Sequence, residues 1–353
     1  MTLSSLSRAV AAEFAPETTY LNTSTCGLLP RRTIEAVKAL AEENAAGSRD
    51  GSGDFAAVNR AREGFAGLVG VAAGRVAVGG SVAAHVGLIA ASLPPGAEVL
   101  APEGEFSSVV SPFAVRGDLR TRYVPLADLA DAVRPGTALV AFSSVQSADG
   151  RRADLDAVRA AAAAHGARTL LDATQSAGWL PLEAGAYDYT VTGGFKYLLC
   201  PRGTSFLTVT EDAQEHLKPV FAGWAAAQDT GNSTYGPVTE LAKDARRYDE
   251  PPAFLAYHGA EQSLALLREI GVDALHDHAL KLADRFRSGV AGLGHPTVPA
   301  DTVVVAVPGL GDRAPELRRA GVLVAGRAGN LRASFHLYNT EADVDRALEV
   351  LAS

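Results

Sequence analysis

Between Arg75 and Val209, short β-branched apolar runs alternate with longer stretches whose apolar residues recur at helical spacing. The runs at 75–79 (RVAVG), 97–101 (AEVLA), 120–124 (RTRYV), 138–142 (ALVAF), 168–172 (RTLLD), 187–191 (YDYTV) and 203–209 (GTSFLTV) predict strands. The intervening 82–93 (VAAHVGLIAASL) and 155–166 (LDAVRAAAAAHG) predict helices. This alternation describes an α/β chain with a mostly parallel sheet covered by helices on both faces. Ligands of such sheets sit beyond the carboxyl ends of the strands, so those ends are where chemistry is to be sought.

After Trp224 the pattern changes. Residues 225–237 (AAAQDTGNSTYGP) are rich in turn formers and predict a long loop. A helix follows over 254–271, with Leu255, His258, Leu264, Leu267 and Ile270 as its apolar stripe and Gly271 as its stop. Beyond it, 301–308, 321–326 and 330–338 predict strands, and the capping pattern TEAD at 340–343 opens a last helix. The chain therefore divides into an N-terminal segment (1–30), a large domain (31–255) and a smaller α+β domain (256–353).

Charge and cysteine content narrow the function. The 353 residues carry a net charge of −8 and no dense basic block, which excludes the usual electrostatic footprint of a nucleic-acid binder. Two cysteines, Cys26 and Cys200, are too few for a disulfide scaffold and point to a reducing, cytoplasmic setting. No run approaches the roughly 18 apolar residues of a membrane span, and Glu13 interrupts the stretch where a targeting signal needs its apolar core. The glycine signatures of dinucleotide and P-loop sites, the zinc-protease HExxH and the GxSxG nucleophile turn are all absent. His276 and His278 read as a solvated helix face without a third ligand, so no metal site is predicted.

The informative segment is 170–207. Asp172 ends an apolar strand, and Lys196 follows 24 residues later, beyond another strand and the pair Gly193 and Gly194. An acid at one strand end and a lysine at a glycine-rich turn beyond another suit pyridoxal phosphate (PLP): the amine condenses with the aldehyde and the carboxylate pairs with the protonated ring nitrogen. An ordinary strand-end acid and a surface lysine fit the same spacing.

DATQSAGW (172–179) and GFKYLLCPRGTSFL (194–207) resemble the cofactor-binding core of class V aminotransferases, the fold-type I PLP group that includes cysteine desulfurases, isopenicillin-N epimerase, kynureninase and the carbon-sulfur lyases of ergothioneine biosynthesis. The likeness runs from YLNTSTCGLLP (20–30) to LRASFHLYNTEADVD (331–345). It implies that Lys196 holds PLP and moves the substrate's α-proton, that Asp172 pairs with the ring nitrogen, and that Gln175 bonds the ring's phenolic oxygen. Ser81, Val82 and Ala83 match the helix start that cradles the phosphate, where free amides and the helix dipole favour an anion. A plain N-cap role for Ser81 is compatible with that reading. Phe106 occupies the position stacked on the ring, often a histidine in the family, and Gln146 the position of a polar residue near the ring oxygen, often asparagine. Thr192 and Gly193 stand where the family carries a phosphate-binding serine, and Phe195 replaces a frequent histidine. Arg332 matches the arginine that clamps the α-carboxylate, and Asn22 falls where the N-terminal segment faces the substrate. Ser233 and Thr234 lie in the loop that the family lends to the neighbouring subunit's phosphate, so the resemblance also implies a homodimer.

For the reaction, the family's desulfurases need a cysteine ahead of the carboxylate-binding arginine, and none occurs between Cys200 and Arg332. The resemblance then favours carbon-sulfur lysis, β-elimination from an S-substituted cysteine or its sulfoxide. Transamination, epimerisation and oxidative decarboxylation of an amino acid in the same site are the alternatives.

Overall fold

The computed structural model describes residues 10–49 and 55–353. In chain order its elements are β1 (Thr19–Tyr20), α1 (Arg31–Ala45), α2 (Phe55–Leu68), β2 (Val76–Gly79), α3 (Val82–Ser92), β3 (Glu98–Pro102), α4 (Ser107–Val115), β4 (Arg120–Val124), β5 (Thr137–Ser143), α5 (Leu155–His165) and β6 (Arg168–Asp172). Then follow β7 (Tyr189–Gly193), β8 (Ser205–Val209), α6 (Glu211–His216), α7 (Phe254–Ile270), α8 (Val272–Gly292), β9 (Val304–Pro308), α9 (Ala314–Arg319), β10 (Val322–Leu323), β11 (Ala325–Arg327), β12 (Asn330–Ser334) and α10 (Glu341–Ala352).

Seven strands form one sheet in the order β2-β8-β7-β6-β5-β3-β4. The neighbours from β7 to β4 are parallel, and β8 runs antiparallel to both β7 and β2. Two reversals restore direction, so β2 points the same way as β7. The carboxyl ends of β2, β3, β5, β6 and β7 consequently share one edge of the sheet. The strands other than the half-exposed edge strand β4 are buried on both faces, which is why they read as continuous apolar runs rather than as alternations.

A second, three-stranded sheet has the order β11-β12-β9 and is antiparallel. The N-terminal segment is stitched to this part of the chain. Thr19 and Tyr20 pair in parallel with β10, the Ser334 amide donates to the Leu21 carbonyl at 2.9 Å, and the Ser24 amide donates to Ser334 Oγ at 2.9 Å. The last helix opens with the expected capping box between Thr340 and Asp343.

Two sequence expectations need correction. The buried face of α7 is carried by Tyr257, Ala260, Leu264 and Leu267, whereas Leu255 is exposed. The stripe turns toward Tyr257 because its hydroxyl sits between β2 and β8, donating to the Gly79 or Ser205 carbonyl at 2.8 Å. His276 and His278 are half-buried instead of solvated. His276 stacks on Trp179 with ring centroids 5.8 Å apart, and His278 Nε2 lies 3.0 Å from the Asn339 carbonyl. No metal-holding cluster of histidine, cysteine or acid occurs among the described residues, and no described helix is long and apolar enough to cross a membrane.

Edge strand β2, which leads into the cavity described below, is held by a buried ion pair. Arg62 on α2 meets Asp249 at 2.7 Å and donates to the Val76 carbonyl, while Asp249 Oδ1 accepts from the Val78 amide. Removing one partner strands a charge away from water, which costs about 3–5 kcal/mol. Asp249→Ala is therefore expected to lower the unfolding free energy by about that amount, measured by urea denaturation; a loss below about 1 kcal/mol would show that water reaches the arginine.

Candidate active site

The shared sheet edge opens into a cavity of about 280 Å³, whose wall includes Ser81, Phe106, Asp172, Gln175, Gly193 and Lys196. Each follows the carboxyl end of a strand: β2 leads to Ser81, β3 to Phe106, β6 to Asp172 and Gln175, and β7 to Gly193 and Lys196. A second space of about 400 Å³ adjoins it, sharing Phe106, Ser147, Phe195 and Lys196 and reaching Arg332.

Asp172 is buried at the end of β6, where Oδ1 accepts the Thr174 amide at 2.7 Å. Burial pushes its carboxyl up to about 6, against the opposing pull of the Thr174 hydrogen bonds and the Lys196 charge. Thr174 Oγ1 in turn accepts the Gly193 amide at 2.9 Å, fastening the turn that carries the acid to the strand that leads to the lysine. Lys196 is also buried, and its ammonium is pushed down to about 8 by burial. Asp172 resists that shift, whereas the guanidiniums of Arg332, Arg202 and Arg327 add to it. Nζ lies 5.0 Å from the centroid of the Phe106 ring and 5.8 Å from that of Phe195.

The backbone around Lys196 is held by close approaches that only glycine permits. The Gly27 amide donates to the Phe195 carbonyl at 2.9 Å, and a side chain on Gly27 would collide with the Lys196 carbonyl. Gly178, in the DATQSAGW motif, has φ 103°, and a Cβ there would stand 2.8 Å from the Tyr197 carbonyl. Leu199 adopts φ 56°, a left-handed conformation unusual for a residue with a side chain, and its amide reaches back to the Lys196 carbonyl at 3.2 Å.

His336 completes this support. Its Nδ1 accepts from the Leu337 amide at 2.8 Å, which leaves the proton on Nε2 to donate to the Tyr197 carbonyl at 2.9 Å. Burial holds the ring's pKa down near 4, so it stays neutral in this role. His336 falls inside the motif at 331–345 but has no role legible from sequence, because it stands two residues beyond β12 and its partner is a backbone atom 139 residues away.

Gln175 donates through Nε2 to the Ser24 carbonyl at 3.1 Å and to Ser147 Oγ at 3.0 Å, while its Oε1 is buried without a partner. Arg332 is buried; Nη2 donates to Thr25 Oγ1 at 2.9 Å and Nη1 to the Ser147 carbonyl and hydroxyl. Its Nε is buried without a partner, and burial lowers its pKa to about 10, which leaves it cationic near neutrality. Ser147 thus joins Gln175 to Arg332.

Six expected residues sit elsewhere. Gln146 turns aside to donate to Glu105 at 2.9 Å, and the next residue, Ser147, takes the wall position. Thr192 is buried on the face of β7 opposite Gly193, as strand alternation requires. Asn22 forms a backbone bridge with Ser334 and borders a separate cleft, so Ser24 and Thr25 are the N-terminal residues beside Lys196 and Arg332. Ala83 lies one residue past the wall formed by Ser81 and Val82. Ser81 Oγ caps α3 through the Ala84 amide at 3.2 Å. Ser233 and Thr234 line neither space and lie in a surface loop, where Ser233 donates to the Asp229 carbonyl at 2.7 Å.

Because burial raises the Asp172 carboxyl to about 6, its ionised form destabilises the cofactor-free chain above that pH. Asp172→Asn is expected to stabilise the cofactor-free protein at pH 8 by on the order of 1–3 kcal/mol, with the gain shrinking as pH falls toward 4. Thermal denaturation of both proteins across that range checks this; an equal effect at all pH values contradicts it.

Against known proteins, the family description "Aminotransferase class-V" matches residues 19–308. The uncharacterized aminotransferase YcbU of Bacillus subtilis is 27% identical over 83% of this chain and 82% of its own length. The isopenicillin N epimerase of Streptomyces clavuligerus is 29% identical over 95% of this chain and 94% of its own length. Among solved structures, the cystine C-S lyase C-DES in complex with cysteine persulfide superposes with a TM-score of 0.84 at 22% identity, covering 96% of this chain and 98% of that one. The cysteine desulfurase of Thermococcus onnurineus gives a TM-score of 0.81 at 22% identity over 95% and 94% of the two chains. With most of its length matched and the sheet-edge cavity built from the motif residues, the chain belongs to the class-V aminotransferase family.

Proposed function

We propose that this chain is a PLP-dependent enzyme acting on an amino acid, and that its reaction is β-elimination from an S-substituted cysteine or its sulfoxide. The single observation that carries the reading is the joining of Asp172, Lys196 and Arg332 by two confluent cavities. The cofactor is pyridoxal 5'-phosphate, and the residues fit it. Asp172 offers a buried carboxyl for a cationic ring nitrogen, Gln175 lies on the same wall, and Phe106 supplies a face to stack against. At the other end lies the start of α3, whose first amides have no carbonyl one turn back. When bound, PLP supplies an electron sink that makes the α-proton of an amino acid removable.

The chain's own residues do the rest. Arg332, held by Ser147 and Thr25, keeps N–H donors for the α-carboxylate, and its unpartnered Nε is the buried group such a ligand would satisfy. Lys196 accepts the α-proton at Nζ, a task suited to an amine that titrates near 8. The Cβ–S bond then breaks with its electron pair on sulfur, and the released unsaturated amine takes up water to give pyruvate and ammonia. Phe106 and Phe195 line the path with apolar surface. A desulfurase-type thiol has no support here: Cys200 is buried, its acidity suppressed by burial, and Cys26 is on neither cavity wall.

The relatives' names favour a second reading, transamination or epimerisation by the same residues; oxidative decarboxylation is the remaining branch. We also propose a homodimer. Val220 and Phe221 are exposed, and Tyr235, beside Ser233 and Thr234, is 93% exposed, as expected of surface that a second copy covers.

The test is the absorbance of purified protein between about 300 and 550 nm, wild type beside Lys196→Ala, followed by a pyruvate assay with S-substituted cysteines. A cofactor band altered in the variant together with pyruvate release supports the lyase. A band with keto-acid exchange or inversion but no pyruvate supports the second reading, and no band under any condition refutes both. In the cofactor-free protein, labelling of Lys196 by an amine-selective reagent should rise with pH to a midpoint of about 8, because only the neutral amine reacts. A midpoint of about 10.4, the ordinary lysine value, would show that the amine is not desolvated.

A further inference from the structure

The wall of the second space carries more positive charge than one α-carboxylate uses. Lys196, Arg202, Arg327 and Arg332 all border it, and the only carboxylate there is Glu105. Glu105 is already satisfied. Its Oε1 accepts from the Phe106 amide and Ser143 Oγ, each at 2.6 Å, and its Oε2 accepts from the Ser143 amide at 2.8 Å and from Gln146 at 2.9 Å. The side chains of Arg202 and Arg327 make no hydrogen bond or ion pair with any described residue, and both residues are exposed. Elsewhere exposed arginines pair freely, as Arg151 does with Asp149 and Arg285 with Asp345.

Both side chains are nevertheless placed. The Arg202 guanidinium lies over the Phe195 ring, 4.2 Å from its centroid, one residue from the lysine. Arg327 ends β11, opposite Asn330 on β12, so it projects from the same face of the hairpin as Arg332. The turn that joins the strands, Ala328 at φ 47° and Gly329 at φ 78°, is the tight left-handed kind that fixes this register. The two guanidiniums also depress the Lys196 ammonium, so their field reaches the reacting end of the cavity.

We propose that Arg202 and Arg327 form a second anion subsite, so that the substrate is an amino acid whose side chain ends in a carboxylate or sulfonate. This rests on the assignment of the cavity to an amino acid bound at Arg332. The α-carboxylate engages Arg332, and the distal acid spans toward Arg202 and Arg327. A neutral side chain offers these two guanidiniums no partner, so it forgoes the charge-assisted bonds that an acid makes.

The experiment uses two probes of nearly equal shape, S-carboxymethyl-L-cysteine and its neutral amide, S-carbamoylmethyl-L-cysteine. Each is titrated into the cofactor-loaded protein while the visible absorbance is followed. The acid is expected to bind at least about tenfold more tightly than the amide, a typical margin for a charge-assisted pair. Arg202→Gln and Arg327→Gln should each narrow that ratio, and the double variant should bring it near one, with cofactor content retained. Equal dissociation constants for the two probes in the wild type overturn the subsite while leaving the cavity assignment standing. Loss of cofactor from the variants also overturns it, by showing that the arginines serve the phosphate. A wild type without a cofactor band, or one whose spectrum neither probe changes, overturns the cavity assignment and the subsite with it.

Discussion

The structure turns on keeping a carboxyl and an amine out of water on one cavity wall. Asp172 and Lys196 are both buried, and burial moves their titrations toward each other, the acid up to about 6 and the base down to about 8. Neither shift is cancelled by the other's charge, which marks a pair under desolvation rather than a tight ion pair. Such a site is unfavourable for the bare fold and favourable for a ligand that brings the missing charge. Stability given up at Asp172 is recovered when a cation meets the carboxylate.

That strain has to be borne by the scaffold, and the surrounding connections show how. Thr174 ties the acid's turn to the end of β7, and Gly178 lets the same turn lie directly against the Tyr197 carbonyl. His336 holds that carbonyl from the other side. Gly27 brings the N-terminal segment close enough for its amide to bond the residue before the lysine. Three distant parts of the sequence therefore fix one short loop, which is how an unfavourable Leu199 conformation persists there. The left-handed Leu199 is the local cost of aiming Lys196 into the cavity.

What was legible in the sequence follows from range. Apolar runs located six strands of the large sheet, because strands buried on both faces leave a one-dimensional signal, whereas the half-exposed edge strand β4 was found from its β-branched and aromatic residues. Their start points drifted where a polar residue mimicked strand: Asp188 was included in a predicted run, yet its carboxylate accepts the Thr169 amide and hydroxyl from outside β7. Asp172 and Lys196 were readable because motif and strand end coincide. Ser147, Thr25 and His336 were not, since each acts on a partner more than a hundred residues distant or sits in a loop whose facing depends on one residue of register. Gln146 and Ser147 differ only in which of them points inward, and the carboxylate of Glu105, which no sequence pattern announces, decides it by capturing Gln146.

The two confluent spaces also differ in sign, and this orders whatever enters them. Asp172 makes the inner end of the first the negative pole, while Arg332, Arg202 and Arg327 make the second positive, with Lys196 at their junction. Glu105 cannot blunt the positive end, because both its oxygens are spent on Ser143, Phe106 and Gln146. In the proposed function, a cofactor with a cationic ring nitrogen and an anionic phosphate would be oriented by the first field and an amino acid's carboxylate by the second, which would bring the α-carbon beside Nζ. With apolar walls at Phe106 and Phe195, these fields are screened less than in water. On that proposal orientation is electrostatic before it is steric, and the amine at the junction is the group that borders both spaces.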